Sequence, residues 1–166
     1  SFEGELIDLR TPLTKDGALE ILTFDSEGGK HAYWHTASHV MAQAIQHLWP
    51  ETSFAIGPAV ANGFYYDIDL DHTITPEDYA KIEAEMKKII KADYPLERYE
   101  LPPQKALAMM KEKNQQYKVE LIEEHAAEGE PISFYKQGDF TDLCAGPHLL
   151  STGKLKAVKI MQTTGA

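Results

Sequence analysis

Apolar residues recur at helical spacing in the stretch YWHTASHVMAQAIQHLW, residues 33–49. Three of them share one face of the helix that this spacing predicts: Val40, Ala44 and Leu48. The helix should end before Pro50, because proline cannot continue a helix. His35 and His39 stand four residues apart and should project from the same side. The pattern therefore predicts a helix that buries an apolar stripe and presents two imidazoles side by side.

Three more helices are indicated by apolar periodicity and by residues that favour helix ends. Thr75 is a suitable N-cap, Pro76 suits the first helical position, and the acidic residues that follow favour a helix N-terminus. This helix should continue to about Lys91. Periodic apolar positions predict the other two helices over residues 104–114 and 117–127.

Alternating apolar and polar residues predict a set of short strands. The stretches concerned are residues 5–9, 18–24, 64–70, 96–101, 132–137, 140–144 and the tail 154–166. A hairpin turn at 15–17 should join the first two, and the polar residues 25–30 are typical of a linker. A glycine-aspartate turn should join 132–137 to 140–144, which would place Asp142 and Cys144 on the same side of one strand.

These elements together predict an α+β fold. Its central antiparallel sheet should contain the strand 64–70, the strand 96–101, the second hairpin and the tail strand. The helix that carries His35 and His39 would pack across this sheet. The site would then lie in the groove between the His-x-x-x-His helix and the sheet.

Composition narrows the class of protein. The 166 residues are 43% hydrophobic, which is enough for one compact domain and part of a second. The single cysteine excludes an internal disulfide and favours a reducing compartment. No apolar run approaches the roughly 20 residues of a membrane span, and the first residues lack signal-peptide features, so a soluble cytoplasmic protein is expected. The net charge of -10 argues against a protein that binds many phosphates, so a nucleic acid would be contacted locally or through other parts of a larger protein.

Two further metal-binding residue types occur near the end of the chain, where Cys144 and His148 flank a Gly-Pro pair. Neither this pair nor the pair of His35 and His39 is specific alone, because helices carry paired histidines by chance and a lone cysteine is more often a small buried residue. Together the four residues could share one polar site, hold a structural zinc ion or have no common role. Two other histidines are interpreted as solvated or packing residues: His31 and His47.

Three segments in this order resemble the editing domain of bacterial-type threonyl-tRNA synthetases: HTASHVMAQAI, GPAVANGFYYDI and DFTDLCAGPH. That domain is related to the editing domain of alanyl-tRNA synthetases. The opening EGELIDLRTPLTKDGALEILTFDSE resembles the second half of the TGS domain that precedes editing, and the tail KAVKIMQTTGA resembles the run into the catalytic domain. The resemblance implies residues 1–27 as the C-terminal part of a TGS-like domain and 28–153 as the editing domain. Residues 154–166 would then be a last strand and the start of the connection to the catalytic domain.

The resemblance implies a hydrolase that removes serine wrongly attached to tRNA(Thr). A threonine-activating site cannot strongly reject serine, because the loss of one methyl group gives only about 1 to 3 kcal/mol of discrimination. The family corrects this error after transfer, at a second site that receives the 3′ end of the tRNA. The parent enzyme joins threonine to tRNA(Thr) with ATP, holds its own zinc in the catalytic domain, and is expected to be a homodimer. The present segment, expected as a monomer, should not aminoacylate tRNA and should not contact a membrane.

The editing residues that the resemblance implies are His35, His39, Lys118, Asp142, Cys144 and His148, with Tyr66 and Gly57 as pocket wall. The histidines could orient and deprotonate water near neutral pH. Lys118 could stabilise the departing ribose oxygen, and Asp142 could hold the ammonium group of the aminoacyl ester. Cys144 is expected to shape the pocket and not to attack the ester. Without the resemblance, Lys118 would be expected to be a solvated lysine and Tyr66 to pack in the core.

The resemblance leaves the role of a metal open. The four residues His35, His39, Cys144 and His148 suit tetrahedral zinc, and the alanyl relatives resemble zinc proteins at this constellation. The threonyl branch resembles a version that works with water and without a tightly held metal, so editing is expected to require no cofactor. Two alternatives remain. One is a zinc-dependent hydrolase of the alanyl-tRNA type, and the other is a non-catalytic tRNA-docking module.

Overall fold

The computed structural model describes residues 1–126, 129 and 131–165, and within them it has the α+β fold that the sequence predicts. The helices are α1 (Glu27–Leu48), α2 (Pro76–Ala92), α3 (Pro103–Glu112) and α4 (Gln116–Ala126). The strands are β1 (Ser53–Phe54), β2 (Ala59–Val60), β3 (Gly63–Phe64), β4 (Ile68–Asp69), β5 (Glu97–Leu101), β6 (Ile132–Gln137) and β7 (Phe140–Leu143). A short 3-10 helix covers Thr152–Lys154.

Helix α1 begins at Glu27, inside the stretch that the sequence predicts as a linker, so the linker prediction is wrong. Ser26 is the N-cap, and its hydroxyl accepts a hydrogen bond from the Gly29 amide at 3.2 Å. Gly29, one of the residues on which the linker prediction rested, is required for packing. A Cβ atom at this position would lie 1.8 Å from the Thr23 carbonyl oxygen. The helix ends at Leu48, as the following proline predicts.

The other three helices confirm the sequence prediction. Helix α2 follows the N-cap Thr75, whose amide donates a hydrogen bond to the Asp78 carboxylate at 3.0 Å and closes the first turn. Helices α3 and α4 occupy the predicted stretches, although Ala127, the predicted last residue of the fourth helix, lies outside the described residues. Helix α2 packs along α1 through a buried apolar face: Ile82, Met86 and Ile89.

The main sheet has three antiparallel strands in the order β5-β6-β7. Strands β6 and β7 form the predicted hairpin, in which Tyr135 is opposite Asp142 and Phe134 is opposite Leu143. Strand β5 pairs with the other edge of β6 and places Tyr99 opposite Phe134. Helices α3 and α4 bury an apolar cluster against the sheet: Ala106, Met110, Ile122, Ile132 and Phe134.

The predicted strand 64–70 is divided and does not join this sheet, so that part of the prediction is wrong. Strand β3 pairs with β2, and β4 pairs with β1, in two separate two-stranded ladders. Between them Asp67 accepts a hydrogen bond from the Ala55 amide at 2.9 Å and donates one to the Ile56 carbonyl at 2.8 Å. The stretch therefore changes its pairing partner along its length. Alternation of side chains does not specify such a change, because strand pairing depends on which segments are near in space.

The strands predicted at 5–9 and 18–24 are also wrong. Among the described residues, this N-terminal segment forms only isolated bridges, which join Phe2 to Glu5 and to Leu19. Single backbone contacts, such as the 2.8 Å hydrogen bond from the Glu3 amide to the Ala18 carbonyl, connect its two halves. A two-residue bridge does not satisfy enough backbone groups to propagate a ladder.

The tail likewise forms no strand in the described residues 155–165, which corrects the predicted last strand. It runs beside α1 and α2, where the Lys156 amide donates to the Tyr33 hydroxyl at 2.9 Å and the Ile160 amide donates to the Glu83 carboxylate at 3.0 Å. Side chains thus satisfy backbone donors that a neighbouring strand would otherwise satisfy.

The buried residues of α1 form the centre of a second apolar cluster, which also contains residues of α2 and β7. Its members include Ala37, Val40, Ala44, Ile45, Met86 and Phe140. This packing holds α1 in place relative to the hairpin and so determines which helical side chains face β7. None of the described helices combines the length and the apolar character that crossing a membrane requires.

His47, in the last turn of α1, joins three parts of the fold. Its Nδ1 lies 2.9 Å from the Glu85 carboxylate on α2, and its Nε2 lies 2.9 Å from the Asp139 carboxylate in the hairpin turn. Partial burial acts to lower the pKa of His47, but the two carboxylates outweigh it and the pKa lies above its ordinary value.

Replacement of His47 by glutamine should make the fold less stable at acidic pH and change little at alkaline pH. The folded-state pKa is raised, so the stabilisation is fully present below about pH 6.5 and is lost as the pH rises through the folded pKa. Urea unfolding of both proteins from pH 5.5 to 9 should give a difference of about 1 kcal/mol at the acidic end that shrinks towards zero. His125→Gln, on an exposed face of α4, is the matched control. A difference that grows with pH would contradict the prediction.

Candidate active site

Helix α1 and the segment that follows β7 bring four nitrogen and sulfur ligands together. His35 and His39 project from α1, and Cys144 and His148 come from the segment after β7. One ligand atom from each of the four residues lies within 4.8 Å of the others. The Cys144 Sγ atom is 3.2 Å from Nε2 of His35 and 3.2 Å from Nε2 of His148. The structure thus brings together the four residues that the sequence singles out, and they are called the His-Cys cluster below.

Hydrogen bonds to residues outside the His-Cys cluster determine the tautomers of two imidazoles, those of His35 and His148. His35 Nδ1 lies 3.3 Å from the Pro147 carbonyl, which can only accept, so this nitrogen carries the proton. His148 Nδ1 lies 3.0 Å from the Thr36 hydroxyl, which gives its own hydrogen to the Ala32 carbonyl at 2.8 Å. The hydroxyl therefore accepts from His148. Both Nε2 atoms are left with lone pairs that face Cys144.

His39 is buried, with 2% of its surface exposed. Its Nε2 lies 3.4 Å from the Asp142 carboxylate, which favours the ring proton on that nitrogen. Its Nδ1 is buried and has no hydrogen-bond partner among the described residues. His39 therefore has a buried acceptor that no described residue satisfies, an arrangement that costs free energy.

The cluster contains more acceptors than hydrogens to fill them. The thiol of Cys144 has one hydrogen and faces two imidazole lone pairs, so at most one of the two 3.2 Å contacts is a hydrogen bond. With the free nitrogen of His39, the described residues leave two acceptors unsatisfied. A water molecule or a cation bound between these groups would satisfy them.

Burial keeps the three imidazoles neutral near pH 7. It lowers the pKa of His35 to about 4 and that of His39 to about 3, and it depresses the pKa of His148 well below the ordinary value. Burial also raises the pKa of the Cys144 thiol to about 12. At neutral pH the site therefore offers three neutral bases and a protonated thiol, and a thiolate nucleophile is not available.

A buried ion pair lies beside the His-Cys cluster. Lys118 from α4 donates to the Asp142 carboxylate at 2.8 Å, and the two side chains are only 4% and 3% exposed. Burial acts to raise the pKa of Asp142, but the Lys118 ammonium outweighs it and the pKa lies below the ordinary value. Lys118 is thus not a solvated lysine on an exposed helix face. A buried lysine that pairs with a site carboxylate is a preorganised positive charge.

Tyr66 and Gly57 connect this ion pair to α1. The Tyr66 hydroxyl accepts from Lys118 at 3.0 Å and donates to the Asp142 carboxylate. A Cβ atom at Gly57 would lie 2.2 Å from the Tyr66 ring, and the Gly57 carbonyl accepts from the Ser38 hydroxyl of α1 at 2.7 Å. The glycine therefore allows the ring to approach the helix and reach Asp142. The resemblance had implied both residues as pocket wall.

Other residues at the site were missed by sequence reasoning. Thr36 follows His35 directly, and a threonine inside a helix beside two histidines was a local signal that could have identified it. Asp8 accepts a hydrogen bond from the His148 amide at 3.0 Å although it stands 140 residues earlier in the chain. No local pattern could have predicted that contact.

A cleft of about 590 Å³ lies between the N-terminal segment, the start of α1 and the β2-β3 ladder. Its lining includes Lys30, His31 and Trp34. The His31 ring lies 5.8 Å from the His35 ring. His31 is exposed, in agreement with the sequence interpretation of a solvated histidine.

The His-Cys cluster fits the chemistry of a zinc site. Three neutral imidazoles and a cysteine sulfur that loses its proton on binding are suitable donors for zinc. The Nδ1 atoms of His35 and His148 are anchored by hydrogen bonds, as the second nitrogens of metal-bound histidines usually are. Tetrahedral zinc with bonds of about 2.0 to 2.3 Å requires ligand atoms roughly 3.3 to 3.6 Å apart. Because separations within the cluster extend to 4.8 Å, binding would require one side chain to move inward.

Comparison with known proteins agrees with the composition of the site. The family described as the threonyl and alanyl tRNA synthetase second additional domain matches residues 132–166, which include Asp142, Cys144 and His148. A threonine–tRNA ligase from Clostridium botulinum (strain Hall) is 62% identical over 164 residues, which are 99% of this chain and 26% of that protein. A threonine–tRNA ligase from Caldanaerobacter subterraneus subsp. tengcongensis is 57% identical over 165 residues, again 99% of this chain and 26% of that protein.

The chain spans about a quarter of the length of these relatives, and the similarity includes both α1 and the segment after β7. The chain is therefore similar to the threonyl and alanyl tRNA synthetase second additional domain over residues 132–166, and to about a quarter of a threonine–tRNA ligase over nearly all of its own length.

Proposed function

We propose that this chain is a post-transfer editing domain that hydrolyses the ester bond of seryl-tRNA(Thr). The observation that supports this most directly is the neutral His-Cys cluster beside the buried pair of Lys118 and Asp142. The parent enzyme would be a cytoplasmic threonine–tRNA ligase that uses ATP and its own zinc. The chain would meet the 3′ end of tRNA(Thr), and the homodimer and the main tRNA affinity would belong to the longer ligase.

Water activation is the first task in this proposal. The unsatisfied acceptors of the cluster can hold a water molecule and remove its proton as it attacks the ester carbonyl. The free Nδ1 of His39 is an unused base, and the imidazoles of His35 and His148 orient the water from the other side. The protonated thiol of Cys144 limits the space available to the water and does not attack.

Charge stabilisation is the second task. Ester cleavage places negative charge on the carbonyl oxygen and then on the departing ribose oxygen. The Lys118 ammonium is held within the site by Asp142 and Tyr66, so little reorganisation is needed for it to face that charge. The Asp142 carboxylate can also accept a hydrogen bond from the substrate ammonium, beside Lys118.

The donor set of the cluster supports a second candidate, a zinc-dependent editing hydrolase of the alanyl-tRNA type. His35, His39, Cys144 and His148 would hold the ion, with Cys144 as a thiolate. When bound, zinc would supply a Lewis acid and lower the pKa of a bound water. In that case the Lys118 ammonium and Asp142 would keep their roles in binding the ester.

The 166-residue chain should hydrolyse seryl-tRNA(Thr) and spare threonyl-tRNA(Thr). A site that fits serine should not accept the extra methyl group, and about 1 to 3 kcal/mol of discrimination corresponds to a rate ratio of roughly 5 to 160. Release of the amino acid from matched substrates charged with radiolabelled serine or threonine measures the ratio. Equal rates on both substrates, or no rate on either, would refute the proposed function.

Removal of metal separates the two candidates. After dialysis against a chelator, the chain should retain its rate of seryl-tRNA(Thr) hydrolysis, because the imidazoles themselves provide the base. Loss of activity that returns with zinc, or faster hydrolysis of seryl-tRNA(Ala) than of seryl-tRNA(Thr), would favour the zinc-dependent hydrolase. Metal analysis of the dialysed protein is the control.

Lys118→Ala should abolish hydrolysis and also lower the free energy of unfolding by about 3 to 5 kcal/mol, because it leaves the buried carboxylate of Asp142 without a countercharge. The double variant Lys118→Ala/Asp142→Asn should recover part of the stability and none of the activity. Urea unfolding and a single-turnover hydrolysis assay measure the two effects. Recovery of activity in the double variant would show that Lys118 acts only through the fold.

Hydrolysis should be nearly independent of pH between 5.5 and 8 after subtraction of the uncatalysed rate. The folded-state pKa values of His35 and His39 lie at about 4 and 3, so both bases stay deprotonated throughout this range. An unperturbed histidine base would instead lose activity below pH 6.5. The value of kcat/KM measured across the range, on protein shown to be folded at each pH, distinguishes the two cases.

A further inference from the structure

We propose that Asp8 and Arg10 are positioning residues of the His-Cys cluster, which makes the N-terminal segment part of the site. The inference rests on the proposed function only in its kinetic consequence. The resemblance implies that residues 1–27 are part of a TGS-like domain, and it gives no residue of that segment a role in editing. The contacts of these two side chains carry the inference.

Asp8 holds the backbone of His148. It is 8% exposed, and its Oδ2 accepts hydrogen bonds from the His148 amide at 3.0 Å and from the Tyr135 hydroxyl at 2.8 Å. Its Oδ1 accepts from the amide and the guanidinium of Arg10, at 2.9 and 2.8 Å. Both oxygens are therefore used twice, and a side-chain amide cannot reproduce this arrangement because it has a single accepting oxygen.

Arg10 holds the residues that follow His148. Its Nη2 donates to the carbonyls of Leu149 and Leu150 at 2.8 and 3.2 Å, and its Nε donates to the Leu96 carbonyl at 2.7 Å. The planar guanidinium thus binds three backbone carbonyls and the Asp8 carboxylate at the same time. Asp8 and Arg10 together determine the path of the backbone on both sides of the His148 Cα atom.

Tyr135 transfers this constraint to the imidazole itself. Its ring packs against the His148 ring with centroids 4.5 Å apart, and its hydroxyl is held by Asp8. A Cβ atom at Gly146 would lie 2.3 Å from that hydroxyl, so the tyrosine also fills the space beside the turn. The orientation of the His148 ring therefore depends on the Asp8 carboxylate.

The orientation of His148 has a direct chemical consequence. Only with the backbone held in this position does Nδ1 reach Thr36, which leaves the lone pair of Nε2 facing Cys144. Rotation of the ring would remove one of the acceptors that can hold a water molecule. Loss of Asp8 should therefore affect the chemical step more than substrate binding.

The test compares Asp8→Asn with the wild-type 166-residue chain by two readouts. The first is the ¹⁵N NMR spectrum of the histidine ring nitrogens at neutral pH, without tRNA. The wild type should show His148 protonated at Nδ1, and the variant should show a mixture of tautomers or a shifted signal. The second is the hydrolysis of seryl-tRNA(Thr), for which kcat should fall about tenfold while KM changes less than about twofold.

Asp93→Asn is the matched control, because Asp93 also accepts from a backbone amide, that of Gly153 at 3.0 Å, and that amide does not belong to a residue of the cluster. It should leave the His148 signals and kcat unchanged. If Asp8→Asn does not fold, Arg10→Lys replaces it. This variant keeps the positive charge, loses the planar contacts to the three carbonyls, and should shift the His148 signals and lower kcat about threefold.

The outcomes separate the inference from the proposed function. A shift of the His148 signals in a chain that hydrolyses neither aminoacyl-tRNA would refute the proposed hydrolysis and support positioning by Asp8. An active chain in which both variants lose stability, but in which the His148 spectrum or kcat equals that of the wild type, would overturn the inference. In that case Asp8 and Arg10 would serve only the fold.

Discussion

The pairing of Lys118 with Asp142 is the interaction on which the site depends most. Two charges that are each nearly inaccessible to water are stable only while they neutralise one another. The pair requires α4, β7 and the Tyr66 loop to meet at one point, and it sets the electrostatic environment of His39. The Lys118 side chain lies inside the protein, where the field of an ammonium group is stronger than it would be in water.

The neutral state of the histidines follows from the same burial. Three imidazoles packed within one small volume could not all carry protons, and desolvation lowers the pKa of each of them. The site therefore combines fixed positive charge on one side with unprotonated bases on the other. Chemistry that removes a proton from water and stabilises an oxyanion needs both properties at once.

Several features could be predicted from the sequence because they depend on neighbours along the chain. The spacing of His35 and His39 places them on one side of any helix, and the hairpin turn brings Asp142 and Cys144 to the same side of a strand. The capped start of α2 is equally local. The linker prediction failed at Gly29, because this glycine allows a close contact with Thr23 and does not make the chain flexible. Stretch 64–70 was predicted as one strand, but two different partners divide it.

The sequence by itself determined the helices, the hairpin and the chemical types present at the site, because periodicity and turn residues act within a few positions. The tertiary structure alone decided that Lys118 is buried, that the tail runs beside α1 and α2 without forming a strand, and that Asp8 reaches His148. Contacts of this kind join positions as far as 140 residues apart. Their formation depends on how the elements pack together, and no pattern in the neighbouring sequence records that packing.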